Sequence, residues 1–165
     1  MLIRPEQPAD FDEIDAVVAA AFKQPDEAEL VRKIRTLDTY IPQLTLVAVE
    51  DGRIVGHVMH SYALIDGHRV PQLAPLAVRP DRQNAGIGDA LTRRALELAD
   101  ERGEPLVLVL GHPSYYPRFG FEPARSLGVE SSIPDLPDDV WMAKPLGGYD
   151  PALRGLATFP PTDAD

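Results

Sequence analysis

Between Leu73 and Leu110 the chain reads as strand, glycine turn, helix and strand, and this passage limits the fold more than any other part of the sequence. Leu73-Ala74-Pro75-Leu76-Ala77-Val78 has the apolar character of a strand. After Arg79-Pro80, the segment Gln83-Asn84-Ala85-Gly86-Ile87-Gly88 opens a stretch in which Ile87, Leu91, Ala95 and Leu98 recur at helical spacing as far as Arg102-Gly103. Leu106-Val107-Leu108-Val109-Leu110 is then an unbroken apolar run, as expected of a strand covered on both faces. A strand–helix–strand crossover makes its two strands parallel and right-handed. The glycine turn sits where that pair begins.

The remaining elements predict a sheet that is otherwise antiparallel. Phe11, Ile14, Val17, Val18, Ala21 and Phe22 follow Pro8 at helical spacing, and a second helix starts near Asp26, buries Leu30, Ile34 and Leu37, and stops at Pro42. Thr45 to Glu50, Arg53 to Ile65 and His68 to Val78 read as three strands joined at Asp51-Gly52 and Asp66-Gly67, the turn pairs of tight hairpins. A late strand is expected around Val140 to Lys144. The fold class is therefore α/β (α+β), a mixed, mostly antiparallel sheet flanked by helices, with one parallel pair. Residues 1–146 form the expected single domain. Residues 147–165, rich in proline and small polar residues, are expected to be a loosely held tail, although Leu153, Leu156 and Phe159 could dock on the body.

Composition removes several function classes. The 165 residues, 44% hydrophobic, suffice for one sizeable core. With Cys at zero there is no disulfide, no thiolate metal site and no acyl-cysteine intermediate. A net charge of −10 argues against nucleic acid as a partner, which needs clustered Lys and Arg. No secretory signal or bilayer-spanning run is read, so a cytoplasmic protein without membrane attachment is the default. A homodimer stays open. Around the glycine turn the balance reverses, because Arg79, Arg82, Arg93 and Arg94 outnumber Asp81 and Asp89. Such an island suits an anionic ligand or an ordinary solvated helix face.

The turn has the chemistry to hold a pyrophosphate. The first turn of a helix offers unpaired N–H groups and the positive end of its dipole. Gly86 and Gly88 remove Cβ atoms from the approach, Gln83 and Asn84 add donors, and Arg82 can reach a phosphate from the rim. A dinucleotide fingerprint would need a small residue where Leu91 stands, and a phosphate loop would need Lys then Ser or Thr where Asp89-Ala90 follow Gly88. The alternative is a tight turn without a ligand. Metal ligation is not expected: His57-x-x-His60 lacks supporting spacing. No Gly-x-Ser-x-Gly elbow supports serine hydrolysis.

Gln83 to Gly88 resembles the signature of the GCN5-related N-acetyltransferase (GNAT) family: Gln or Arg, two residues, Gly, one residue, then Gly or Ala. Tyr116-Pro117-Arg118-Phe119-Gly120-Phe121 is similar to that family's tyrosine, three residues, Gly-Phe segment, and Leu110-Gly111-His112-Pro113 to Phe121 looks like a bacterial subgroup of predicted acetyltransferases. The resemblance covers roughly residues 1 to 145. It implies acetyl-coenzyme A as co-substrate, with a splayed parallel strand pair whose earlier strand, at Leu76, Ala77 and Val78, meets the pantetheine arm. Arg82, Gln83, Asn84, Ala85, Gly86, Ile87, Gly88 and Asp89 would hold the pyrophosphate side, with Ser114 and Tyr115 nearby. Ser114 otherwise reads as the cap of a short aromatic helix.

Tyr116 occupies the position of an acid that protonates the departing thiolate, or else is an amphipathic core tyrosine with Tyr115 as its substitute. The amine's proton needs an acceptor. His112 follows the buried strand and is the better placed histidine; His57 and His60 face opposite sides of the sheet, so at most one meets a cleft. Gln72 stands where some family members carry a glutamate base, which puts a carboxylate base in doubt. The resemblance thus implies acetyl transfer to a primary amine in a ternary complex. A non-catalytic acyl-coenzyme A sensor is the alternative. By the same resemblance, Gln24 to Tyr40 and Ala124 to Asp139 would flank the acceptor side.

Overall fold

The computed structural model describes residues 1–160. It opens with a short strand, β1 (Leu2–Pro5), which the sequence reading lacked. Two helices follow, α1 (Phe11–Phe22) and α2 (Asp26–Ile34), each with acids in its first turn, where the helix dipole favours them. Both press one apolar face on the sheet: Ile14, Val17 and Val18 from α1, and Ala28, Val31 and Ile34 from α2. Burial of a side chain of this size is worth ~1.5–3 kcal/mol. Helix α2 stops at Ile34, well short of Pro42, and Leu37 lies outside it.

Strands β2 (Leu46–Glu50), β3 (Arg53–Ile65) and β4 (His68–Val78) form the expected antiparallel run. Both joining turns have positive φ at their two central residues, Asp51 and Gly52 at 50° and 77°, Asp66 and Gly67 at 51° and 85°. That geometry matches the twist of the flanking strands. Helix α3 (Ile87–Glu101) then crosses to β5 (Leu106–Leu110), which lies parallel to β4. Leu106 to Val109 are buried, odd and even positions serving opposite faces, while Leu110 is exposed. The late strand β8 (Trp141–Pro145) is antiparallel to β5, after the short strands β6 (Glu122–Pro123) and β7 (Val129–Ser131). The main sheet runs β1-β2-β3-β4-β5-β8-β6. Helix α3 covers one face; α1, α2 and the C-terminal segments cover the other.

The tail departs from its expected loose state. Strand β9 (Gly155–Thr158) pairs antiparallel with the end of β3 and parallel with β7. Ala157 is fully buried, and Phe159 sets its ring edge to face against Trp141 at 5.9 Å. An apolar face on β3 and β8 needs a cover, and Leu153 and Phe159 provide it. The remaining tail residues, 161–165, lie outside the described residues.

A buried polar cluster ties β1 to the helical layer. The Glu6 carboxylate, fully shielded, accepts two hydrogen bonds from Arg35 at 2.9 Å each, one from His57 Nε2 at 2.9 Å and one from the Tyr40 hydroxyl. Burial alone would raise its pKa, but the donors His57, Arg35 and Tyr40 outweigh it and hold the carboxyl at about 2.

Candidate active site

The glycine turn is bare. After β4, Asn84 and Gly86 take left-handed backbone conformations, φ 62° and 83°, and no heavy atom lies within 4 Å of the place a Gly86 Cβ would occupy. Gln83 to Gly86 are exposed. No side chain caps α3, so the amides of Ile87, Gly88 and Asp89 have no acceptor within the helix and stand at the positive end of its dipole. A doubly charged pyrophosphate fits such a cradle. Gly88 has a different use from Gly86: a Cβ there would come within 3.0 Å of the Tyr115 hydroxyl.

The basic island is largely spent inside the fold. Arg82 closes both arms of its guanidinium on Glu50, at 2.9 and 3.0 Å, Arg79 pairs with Asp81 at 3.3 Å, and Arg94 with Glu97 at 3.1 Å. The Gln83 amide donates to the Val78 carbonyl at 3.2 Å. Backbone amides, more than free cations, therefore supply the anion-binding character of the turn.

Beside it the parallel pair comes apart. Strands β4 and β5 pair only at Gln72 with Leu108 and Leu73 with Val109. Further along, Leu76, Ala77 and Val78 stay registered with Val58, His57 and Gly56 of β3, and have no strand partner on the β5 side among the described residues. The gap opens into a cleft of about 620 Å³ walled by Leu73, Leu76, Leu110, Gly111, Tyr115 and Tyr116 among others.

The two tyrosines are differentiated by their partners. Tyr115 donates to Asp89 Oδ1 at 2.9 Å, while Arg118 donates to the same oxygen and lies 4.6 Å over the Tyr115 ring. Burial and the Asp89 contact push the Tyr115 pKa up to about 12. Its hydroxyl is committed. Tyr116 starts the short 3₁₀ turn Tyr116–Phe119 and is buried, with edge-to-face contacts to Tyr115 at 5.0 Å and Phe121 at 5.5 Å. Among the described residues its hydroxyl has no hydrogen-bond partner. Burial, with a smaller contribution from Tyr115, raises its pKa above the usual tyrosine range, so the phenol holds its proton. The ring fits because residue 111 is glycine: a Cβ there would stand 2.4 and 2.8 Å from two Tyr116 ring carbons. Ser114 is exposed and makes no cap bond; the residue preceding the 3₁₀ turn is Tyr115.

The histidines separate cleanly. His57 and His60 are both buried, and neither lines the cleft. His57 serves the Glu6 cluster. His60 Nδ1 lies 2.6 Å from the Leu44 carbonyl, which can only accept, so that nitrogen carries the proton; burial lowers the His60 pKa to about 4. His112 is exposed on the rim of the cleft, and its carbonyl receives the Tyr115 and Tyr116 amides at 3.1 and 3.4 Å. Glu27 is the residue the sequence reading missed. It is the only acid among the described residues lining the cleft, and Gln24 Nε2 holds its two oxygens at 2.9 and 3.2 Å. Its position in the first turn of α2 looks, in sequence, like routine dipole compensation. Among the described residues no group of three or more His, Cys, Asp or Glu could hold a metal ion, and no helix is long and apolar enough to cross a membrane.

A mixed sheet whose parallel pair parts beside an uncapped helix N-terminus is the geometry that the resemblance to acetyltransferases implies. The chain belongs to the GNAT acetyltransferase family, whose domain model matches residues 2–124. The uncharacterized N-acetyltransferase YjhQ of Escherichia coli strain K12 is 34% identical over 154 residues, which is 89% of this chain and 85% of the relative. YhbS from the same strain is 38% identical over 125 residues, 74% of each chain. The crystal structure of Escherichia coli YhbS in complex with CoA superposes with a TM-score of 0.86 at 32% identity, covering 94% of this chain and 87% of that one. A GNAT family acetyltransferase from Brucella melitensis in complex with acetyl-CoA gives 0.80 at 30% identity, with 98% and 96% covered.

Proposed function

We propose that this chain transfers the acetyl group of acetyl-coenzyme A to a primary amine by direct attack in a ternary complex, with Tyr116 protonating the departing thiolate. The observation that carries the reading is the Tyr116 phenol, which lines the gap between β4 and β5 and whose hydroxyl no other group engages among the described residues. The solved relatives with CoA and acetyl-CoA support the donor. Ile87, Gly88 and Asp89 amides, with Gln83 and Asn84, receive the pyrophosphate, and the free edge of β4 at Leu76, Ala77 and Val78 lies along the pantetheine arm. An N–H of that edge supports the oxyanion as the amine nitrogen bonds to the carbonyl carbon. The C–S bond then breaks, sulfur takes the Tyr116 proton, and the amine gives up its own proton to His112 or to water at the rim. With no cysteine in the chain, no acyl-cysteine intermediate competes with direct attack.

Tyr116→Phe is expected to lower kcat by roughly 10²-fold, within the range for a positioned general acid, with little change in acetyl-coenzyme A affinity measured by titration calorimetry. Unchanged turnover across a pH series would remove Tyr116 from the mechanism.

A further inference from the structure

The acceptor side of the gap has a chemical character of its own. A second hollow of about 260 Å³ lies on the side of α2 and the C-terminal segment and shares Leu30, Leu73, Ala74 and Leu110 with the cleft. Its outer wall is Ile34, Ile133, Trp141 and Phe159. The polar side chains there, Ser61 and Gln72, are uncharged, and no charged side chain lines the hollow among the described residues. Apolar side chains are left open around the same gap: Phe22 is 37% exposed, Leu110 48% and Ile133 40%. Contiguous open apolar surface beside a reaction site is surface that a ligand covers. A polyamine or an amino sugar would have to leave water there without partners for its other polar groups. Glu27 borders the cleft at the shared Leu30 wall, with its carboxylate steadied by Gln24.

Resting on the acetyl-transfer reading, we propose that the acceptor is a monoamine on an apolar body, an alkyl- or aralkylamine, with its ammonium group received by Glu27 and its carbon body seated in the Leu30–Ile133–Trp141–Phe159 hollow. Glu27 is a positioning residue for the amine. The ammonium gives one proton to water before its nitrogen can attack and a second, once the N–C bond has formed, to His112 or water; one of the two restores the Tyr116 phenol and the other leaves to solvent.

The test is thiol release from acetyl-coenzyme A with linear amines from propylamine to hexylamine, with phenethylamine, and with ethanolamine and putrescine as polar comparators. The expected result is a rise in kcat/KM of about fourfold per methylene, the equilibrium equivalent of one buried methylene, until the hollow is filled, with putrescine well below hexylamine. Glu27→Gln is expected to raise the KM for hexylamine by about tenfold, the order of a lost charge-assisted contact, and to leave acetyl-coenzyme A affinity unchanged. Ile133→Asp, on an exposed position that the fold does not need, should depress phenethylamine transfer and spare ethanolamine. A flat series, or putrescine outrunning hexylamine, on protein that binds acetyl-coenzyme A would overturn this inference alone. Failure of the wild-type chain to bind acetyl-coenzyme A would bring down the transfer reading and this inference with it.

Discussion

Gly111→Ala asks whether the placement of Tyr116 sets the rate. The added methyl would stand 2.4 Å from Cε2 and 2.8 Å from Cδ2 of the Tyr116 ring, with Cζ at 3.4 Å. Carbon atoms in contact prefer about 3.5–4.0 Å, so the ring must retreat by about 1 Å. It is packed between Tyr115 and Phe121 and is only 8% exposed, so the retreat disturbs buried neighbours. Overpacking of this kind costs roughly 1–3 kcal/mol, reduced by the ~0.4–1 kcal/mol that alanine gains over glycine in the unfolded chain. A net loss between about 0 and 2.6 kcal/mol leaves a domain of ordinary stability folded. A displacement of ~1 Å at a reacting group can lower turnover by about 10²-fold.

Thiol release gives kcat, and thermal unfolding monitored by circular dichroism gives the stability change. The double variant Gly111→Ala with Tyr116→Phe separates geometry from general damage. If the glycine acts through the phenol, the double variant turns over no more slowly than Tyr116→Phe alone, a strong departure from additivity. Additive losses, or a Gly111→Ala enzyme with normal kcat, would refute the argument that this glycine exists to seat Tyr116.

Gly86→Glu is expected to abolish acetyl-coenzyme A binding by calorimetry while the circular dichroism spectrum is kept, since it places a side chain and a negative charge in the open space at the α3 N-terminus; retained affinity would dismiss the cradle. Acid should destabilise the fold in two stages. His60, lowered from 6.5 to about 4, contributes stability that is complete above its unfolded value and is lost as pH falls from 6.5 to 4, about 3 kcal/mol in all, and Glu6, lowered to about 2, adds a further loss below 4.5. Urea unfolding between pH 7 and 4 should show that slope, and His60→Gln should flatten its upper part. Truncation after Arg154 removes β9 and Phe159, leaving Ile65 and Trp141 uncovered, and is expected to lower Tm by at least about 5 °C; an unchanged Tm would show that the tail contributes nothing to the core.

What the sequence disclosed follows from the range of the interactions involved. Asp51-Gly52 and Asp66-Gly67 announce their hairpins because turn geometry depends on two adjacent residues. The crossover from β4 through α3 to β5 is legible because helical spacing and an unbroken apolar run are local patterns. Strand β1, by contrast, is four residues long, and both its antiparallel pairing with β2 and the bonds of the adjoining Glu6 to Arg35, Tyr40 and His57 join residues as many as 51 positions apart. Strand β9 pairs with β3 and β7 through four residues whose composition reads as a tail. Helix α2 reads as continuing to Pro42 because Leu37 keeps the apolar phase, but it ends at Ile34, and the chain tightens into turns in which the Thr36 amide and hydroxyl both donate to the Lys33 carbonyl, at 3.0 and 2.7 Å.

The same distinction divides the site. The bare turn at Gln83 to Gly88 is a local feature, and the residues alone carry the proposal of a pyrophosphate there. Tyr115 and Tyr116 are adjacent and chemically identical, and the residues alone leave both as acid candidates. Asp89, 26 residues away, takes the Tyr115 hydroxyl at 2.9 Å, and Gly88 leaves it room to do so. Gly111, five positions back, makes the berth for the Tyr116 ring beside the parted strands. One glycine of the turn therefore makes room for Tyr115, and a second, Gly111, seats the ring of Tyr116, the acid of the proposed reaction. The placement of both rings rests on these two absences of a side chain, which a pattern of residue types cannot express and a substitution at either position can reverse.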